Sequence, residues 1–429
     1  MPWIDRWKPE LNAAVCVRLI AFIYFIAFTS WGVQERGLIG SHGILPAAQF
    51  LQAAHEQYGN TAHWFAPSIF WLNPGDAALT AGWVAGALFA LVAIFAPWKW
   101  AMRIALAACL ILWVSLCSVG QDFLSFQWDV LLSEAGFLAI FADDTPVRIW
   151  LFRWLAFRLM FYSGVVKLTS GDPNWRNLTA LHYHYETQPL PAPLAWYMAQ
   201  SPMWLQKAST AFTFVAELAA PFSFFGPRKA RHIGAWIVLA LQALIIATGN
   251  YTYFNLLAIV ITLFLFMEPN KQPRTRGHRA VSAAIAGFIA LVSACLTLQL
   301  FSVMSPGMQA ILRWTEPLRI VNTYGLFAVM TTERQEIVVE GSNDGDTWLA
   351  YEFPYKPGDL RRAPPLVAPH QPRLDWQMWF AALSNYRQNR WFVGFMLRVL
   401  QGEPAVLRLL SYNAFPNAPP KFIDRKSVV

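Results

Sequence analysis

The chain has 429 residues, 56% of them hydrophobic and 14% charged, against roughly 25% charged in soluble domains. Its net charge of +8 is dispersed over short segments between apolar runs. That is the topology pattern of membrane proteins rather than the basic patch of a nucleic-acid binder, so a nucleic-acid partner is excluded. With 21 Trp and 32 Phe the composition reads as a polytopic membrane protein whose first partner is the lipid bilayer, not as a soluble enzyme with one anchor.

Nine apolar runs approach the roughly 17–25 residues that cross a bilayer. They cover 14–31, 78–96, 101–119, 130–142, 149–168, 209–225, 233–248, 254–267 and 281–301. The runs at 130–142 and 254–267 are short and read as half-spans or as tilted helices inside the bundle. The first run is read as a retained span, because no small-x-small cleavage site follows it cleanly. One side of the runs collects Arg6, Lys8, Lys99, Arg103, Arg148, Arg228, Lys229 and Arg231, then Lys271, Arg274, Arg276 and Arg279. The other side has Arg36 in loop 32–77, no cation in 120–129 or 249–253, and only Arg176 and Lys207 in 169–208. Cations favour the cytoplasmic face, so the N-terminus is expected in the cytoplasm and residues 302–429 outside it. Cys16, Cys109, Cys117 and Cys295 all fall in apolar runs without a Cys-x-x-Cys pair, which predicts neither a disulfide framework nor a dithiol redox centre.

The stretch "RLMFYSGVVKLTSGDPNW" (158–175) begins as a span and ends as a turn. On a helix over 149–168, Arg153, Phe157, Met160, Gly164 and Lys167 share one face, and Arg158 points about 180° away from Lys167. Ser163 and Gly164 let a neighbouring helix come close. Lys167 has two readings: a snorkelling or ion-paired lysine at a helix end, or a desolvated base. Its expected partners are Glu134, Asp129 and Asp172, in that order. Glu134, Arg153, Arg158 and Glu217 form a further intramembrane charged set. Each needs a partner or an aqueous cavity: the parsimonious arrangement pairs Glu134 and Glu217 with Arg153, Arg158 or Lys167, and the other reading is a cavity that binds substrate or moves protons. Asp172-Pro173 then reads as the start of a helix running to about Glu186 along the outer interface.

In "LHYHYE", His182, His184 and Glu186 alternate, but on a helix only His182 and Glu186 share a face, so no metal site is expected. "TQPLPAPLAWY" reads as a stiff, extended, proline-rich connector. Beyond residue 302 the pattern changes. "RQEIVVEGSNDGDTWLAYEF" alternates around Asn343-Asp344-Gly345-Asp346, a hairpin signal, and "LDWQMWFAALSNYRQNRWFVGFMLRVL" has helical spacing. The predicted fold is mainly α: a transmembrane helix bundle over 1–301 and a C-terminal extracytoplasmic α+β domain with a sheet over 302–429. His370, Arg373, Asp375, Trp376 and Trp379 lie in "PHQPRLDWQMWF". They read either as an amphipathic edge docked on the membrane surface or as an aromatic surface for a client. The sequence contains no nucleotide-binding glycine loop and no Gly-x-Ser-x-Gly elbow, and no cofactor is expected.

"SGVVKLTSGDPNWRNLTALHYHYETQPLPAPLAWY", "TGNYTYFNLLAI", "NTYGLFAVMTTERQEIVVEGSNDGDTWLAYEFPYKPGD" and "APHQPRLDWQMWFAAL" resemble the lipase maturation factor family over about residues 30–415. The resemblance implies a membrane protein that helps secreted lipases of the lipoprotein lipase type reach their active dimeric form, with a lumenal C-terminal domain linked to the client. "FYSGVVKLTSGDPNW" more distantly resembles a segment of vitamin K-dependent γ-carboxylases. There the second lysine of a pair acts as the base; Lys167 matches it and Val166 replaces the first. This resemblance implies a shared horizontally arranged fold sooner than a shared reaction. Short loops and no retention signal point to a bacterial-type chain in the inner membrane, the endoplasmic reticulum being the eukaryotic counterpart. The leading expectation is a non-enzymatic maturation factor. The alternatives are a membrane-embedded enzyme with Lys167 as general base on a lipid or quinone-like substrate or a client polypeptide, and an ion-coupled transporter using Glu134 and Glu217. No inverted repeat supports the last.

Overall fold

The computed structural model describes residues 12–270, 274–359, 361–385 and 387–428. Arg6, Lys8 and Lys271, three cations of the orientation argument, lie outside them. The fold is mainly helical. Its principal helices are α1 (Ala13–Gly32), α2 (Ala47–Tyr58), α3 (Asp76–Phe95), α4 (Lys99–Val119), α5 (Gln127–Phe141), α6 (Pro146–Thr169) and α7 (Ala180–Thr187). They continue with α8 (Met203–Phe214), α9 (Arg228–Thr248), α10 (Phe254–Leu263), α11 (Arg276–Leu300), α12 (Pro306–Thr315), α13 (Arg373–Ala382) and α14 (Arg390–Leu400).

Among the described residues six helices are long and apolar enough to cross a membrane: α1, α3, α4, α6, α9 and α11. They coincide with six of the nine expected runs. The other three runs are built differently. α5 has 15 residues and buries Trp128, Leu131, Leu132, Ala135 and Leu138 around most of its circumference, as a helix enclosed by others does. α10 has 10 residues and is likewise mostly buried. α8 runs without a break into a π-helical turn, Val215–Ala219, and a last turn, Ala220–Ser223. Close helix approach is set by small residues: a Cβ on Gly86 of α3 would stand 2.4 Å from the Phe28 ring of α1.

The helix expected from Trp175 to Glu186 is instead two pieces. Asp172 caps a single turn, Pro173–Arg176, by accepting from the Asn174 N–H. The chain then reverses through Leu178 at φ +60° before α7 begins. The Thr179 N–H donates to the Asn174 carbonyl across that break, so a local turn outcompetes helix continuation.

Three antiparallel strands, β1 (Glu336–Ser342), β2 (Leu349–Tyr351) and β3 (Phe422–Val428), form one sheet in the order β2-β1-β3. Val339 faces Tyr351 on one side and Arg425 on the other. The β1–β2 turn is held by Asp344, whose Oδ1 accepts from the Asp346 and Thr347 N–H groups and from the Ser342 hydroxyl, with Gly345 at φ +85°. Strand β3 comes from the far end of the chain, a pairing that hairpin chemistry does not encode. Ile337, Val339, Trp376 and Phe395 belong to the same hydrophobic core as Trp31, Trp113 and Leu131 of the bundle, so packing is continuous from the bundle into the C-terminal segment.

Candidate functional site

Helix α6 carries four buried cations, and each meets a different partner. Arg148 bonds Asp143 Oδ2 at 2.9 Å. Arg153 donates to the Met267 carbonyl at 2.6 Å and to Phe264 O. It thereby satisfies carbonyls left open where α10 ends, and no acid is its partner in that contact. Arg158 is ion-paired with Glu134 of α5. The fourth, Lys167, donates to both oxygens of Glu217 at 2.8 and 2.9 Å and to the Ser163 carbonyl at 3.2 Å, and its Nζ lies 5.3 Å from the Trp175 ring centre. The partner of Lys167 is thus Glu217, as the pairing of the charged set allowed, rather than Glu134, Asp129 or Asp172.

The physical cause is the π turn. Pro221 has no N–H, and its ring collides with the carbonyl four residues back, which is that of Glu217. The helix widens there, as π turns at functional positions do, and Glu217 is turned inward. Gly164 lets it approach: a Cβ on Gly164 would lie 2.6 Å from Leu218 Cδ2 and 3.1 Å from Glu217 Cβ. The proline four residues after Glu217 was the available sequence signal.

Two further buried carboxylates sit on α5 and fasten the C-terminal segment to the bundle. Glu134, besides Arg158, accepts from the Tyr324 hydroxyl at 2.5 Å and the Asn322 N–H at 3.1 Å, while Arg158 donates to the Asn322 carbonyl at 2.9 Å. Asp129 receives both arms of Arg373, at 2.6 and 2.9 Å, and the Tyr253 hydroxyl at 2.6 Å. Asp172 accepts from the Met330 N–H at 2.6 Å. Asn322, Tyr324 and Tyr253 were not singled out from sequence, because nothing local marks them as partners of residues over a hundred positions away.

The expected client surface at 370–380 faces inward. Arg373, Asp375, Trp376 and Trp379 are buried. Trp376 packs on Trp128 with ring centres 4.9 Å apart, and the Trp379 indole N–H donates to Thr187 O at 2.7 Å. His370 Nδ1 is 2.9 Å from the Ser30 hydroxyl, and burial, aided by Arg373, pushes its pKa down to about 4. Asp375 accepts the Tyr355 and Lys356 N–H groups at 2.8 Å each; burial still raises its carboxyl to about 6. These residues join the two parts of the molecule. The aromatic side chain left at the surface there is Phe380.

Two concavities stand out among the described residues. One, of about 160 Å³, lies beside the Lys167–Glu217 pair and is lined from α6, α7, α8 and α9, from the starts of α5 and α10, and from Leu326, Phe327 and Met330 of the C-terminal segment. The other is a groove of about 1310 Å³ between α2, α12 and residues 315–323. Its walls include Gln49, Tyr58, Arg313, Arg319 and Arg390, and next to it Trp64 and Trp314 pack with tilted rings, centres 5.6 Å apart. His182 pairs with Gln206 and His184 with Tyr251, and among the described residues no group of three or more His, Cys, Asp or Glu is placed to hold a metal ion.

A multi-helix membrane bundle with a sheet-bearing C-terminal segment locked to it by the buried Arg373–Asp129 pair and by hydrogen bonds to Glu134 defines the class: an integral, multi-pass membrane protein. The sequence model of the lipase maturation factor transmembrane domain matches residues 11–271, and that of the lipase maturation factor C-terminal domain matches 320–428. Lipase maturation factor 2 of Homo sapiens is 34% identical over 94% of this chain and 77% of its own length. The Xenopus laevis protein of the same name is 34% identical over 94% and 76%, and lipase maturation factor 1 of Bos taurus 34% over 96% and 82%. No solved structure matches the chain. The chain belongs to the lipase maturation factor family.

Proposed function

We propose that this protein is a membrane-resident maturation factor for secreted lipase-type polypeptides, with no chemistry of its own on the client. Residues 1–301 are the membrane part and 302–429 the extracytoplasmic part. The N-terminus is cytoplasmic, and the membrane is the inner membrane of a bacterial cell or the endoplasmic reticulum of a eukaryotic one. The observation that carries the reading is the match of both family domains along one chain, joined here by the buried Arg373–Asp129 pair and the hydrogen bonds of Asn322 and Tyr324 to Glu134. Kinship with γ-carboxylases around Lys167 belongs to the proposal as shared fold only. Lys167 points its ammonium at two carboxylate oxygens and a carbonyl, the surroundings of a protonated lysine rather than of a base. The groove with Arg313, Arg319 and Arg390 is the surface we assign to the client, since it is wide, mixed in polarity and lined by arginine and tyrosine, the anchors of protein interfaces.

The test is co-expression of the full chain with a secreted lipase, reading active lipase per lipase antigen. Loss of the chain is expected to lower that ratio, and Arg313→Glu with Arg390→Glu is expected to lower it while the factor remains at wild-type abundance. An unchanged ratio without the chain overturns the proposal. A reporter fused after residue 429 is expected to be active only as an extracytoplasmic enzyme.

A further inference from the structure

The smaller cavity is unlike the seams that hold the molecule together. Its wall is mainly apolar, with Met160, Phe212, Leu241, Ile245 and Phe254 among the contributors. Its polar lining includes Lys167, Glu217, His184, Gln127, Gln242 and Tyr251. Leu244 also lines it and is 53% exposed on the membrane-spanning helix α9.

Three observations restrict what fits. First, the wall is charge-balanced: among the described residues Lys167 and Glu217 are its only Lys, Arg, Asp or Glu, and they neutralise each other through two short bonds. His184 adds no charge near neutral pH, since burial holds it down to about 4. A charged guest would enter a low-dielectric site without a counter-ion, which is costly. Second, Gln127 Oε1 is buried and has no hydrogen-bond partner among the described residues. Buried polar atoms are nearly always paired, and a hydroxyl, which both donates and accepts, would complete it. Third, about 160 Å³ is close to the ~150 Å³ that admits a benzene-sized group. A volume of that size takes an end group rather than a whole lipid.

We propose that this cavity binds a neutral, hydroxyl-bearing single-chain lipid, its alcohol end against Gln127, Lys167 and Glu217 and its chain leaving between α8 and α9. The site goes beyond the client reading, since it shares no lining residue with the groove that holds Arg313. Recognition rests on an unpaired acceptor and on charge neutrality. A site that hydrogen-bonds a hydroxyl discriminates strongly against the analogue lacking it.

The experiment uses the full-length protein in detergent and four probes with the same eighteen-carbon chain: 1-monooleoylglycerol, methyl oleate, oleate and oleylamine. Retention is read by native mass spectrometry. The alcohol is expected at one copy per chain and at least about tenfold tighter than the other three, the worth of a single buried hydrogen bond. Gln127→Leu is expected to bring the alcohol and the methyl ester to about equal affinity. Ile245→Trp, which fills the cavity, is expected to abolish retention of the alcohol with an unshifted melting temperature; Ser209→Phe at the same wall serves if that variant does not fold. Equal retention of all four probes, tighter binding of oleate or oleylamine, or wild-type retention in the filled variants overturns the proposal. Lipase maturation measured in parallel separates it from the client reading: a filled cavity with normal maturation leaves that reading intact.

Discussion

Arg373 and Asp129, 244 residues apart in sequence, form a two-armed ion pair buried at the junction of α13 and α5, with N–O distances of 2.6 and 2.9 Å. The pair is completed by the Tyr253 hydroxyl and by the Phe123 carbonyl, which Arg373 reaches at 2.9 Å. It fixes where the C-terminal segment sits on the bundle, because a guanidinium fork and a carboxylate meet in one planar geometry.

Arg373→Ala leaves Asp129 buried without its counter-ion, and the expected cost is about 3–5 kcal/mol. Arg373→Lys is expected to restore little, since one ammonium cannot span both oxygens. The double change Asp129→Asn with Arg373→Met is expected to be less damaging than Arg373→Ala alone. Melting temperatures in detergent for the wild type and the three variants check this; a double variant as damaged as Arg373→Ala, or more so, would mean that Asp129 does not depend on Arg373 as its counter-ion.

Lys167→Ala strands Glu217 in the same way and is expected to cost about 3–5 kcal/mol. Combining Lys167→Met with Glu217→Gln removes both charges. That protein is expected to recover much of the stability and to retain lipase maturation in co-expression. A stable double variant without maturation would show that the pair does more than hold α6 to the π turn.

Gly164→Val places methyl groups where Leu218 and Glu217 already stand. The expected loss is about 1–3 kcal/mol from overpacking, and Leu218→Ala in the same chain is expected to return part of it. A melting temperature equal to wild type for Gly164→Val would show that the π turn is free to withdraw.

The junction at His370 is pH-sensitive in a defined direction. Its folded pKa is lowered from 6.5 to about 4, so its contribution to stability is present above 6.5 and is lost as pH falls through about 4. Asp375 has the opposite sign: raised from 3.8 to about 6, it favours the fold below 3.8, and that contribution is lost as pH rises through about 6. Comparing each melting curve with that of His370→Gln or Asp375→Asn across this range separates them. The stability difference between wild type and His370→Gln is expected to change between pH 6.5 and 4 and to be constant above it. A difference independent of pH would place His370 in water rather than against Ser30.

The sequence by itself determined the membrane class, the six long spans and the hairpin at Asn343–Asp346. Each depends on local composition: apolar length, or turn chemistry at fixed offsets. It also placed Arg158 and Lys167 on opposite faces of one helix, because helical angle follows from residue number alone. The tertiary structure decided what met them. Lys167 found Glu217 because a proline four residues on opened a π turn and Gly164 left room for it. Arg373, Trp376 and Trp379 turned inward because Asp129, Trp128 and Thr187 offered buried partners. Strand β3 joined β1 from 80 residues beyond the first hairpin strand's end. Such pairings are chosen by which surfaces reach one another in the folded chain, and by the cost of leaving a buried charge or hydrogen-bonding group without a partner.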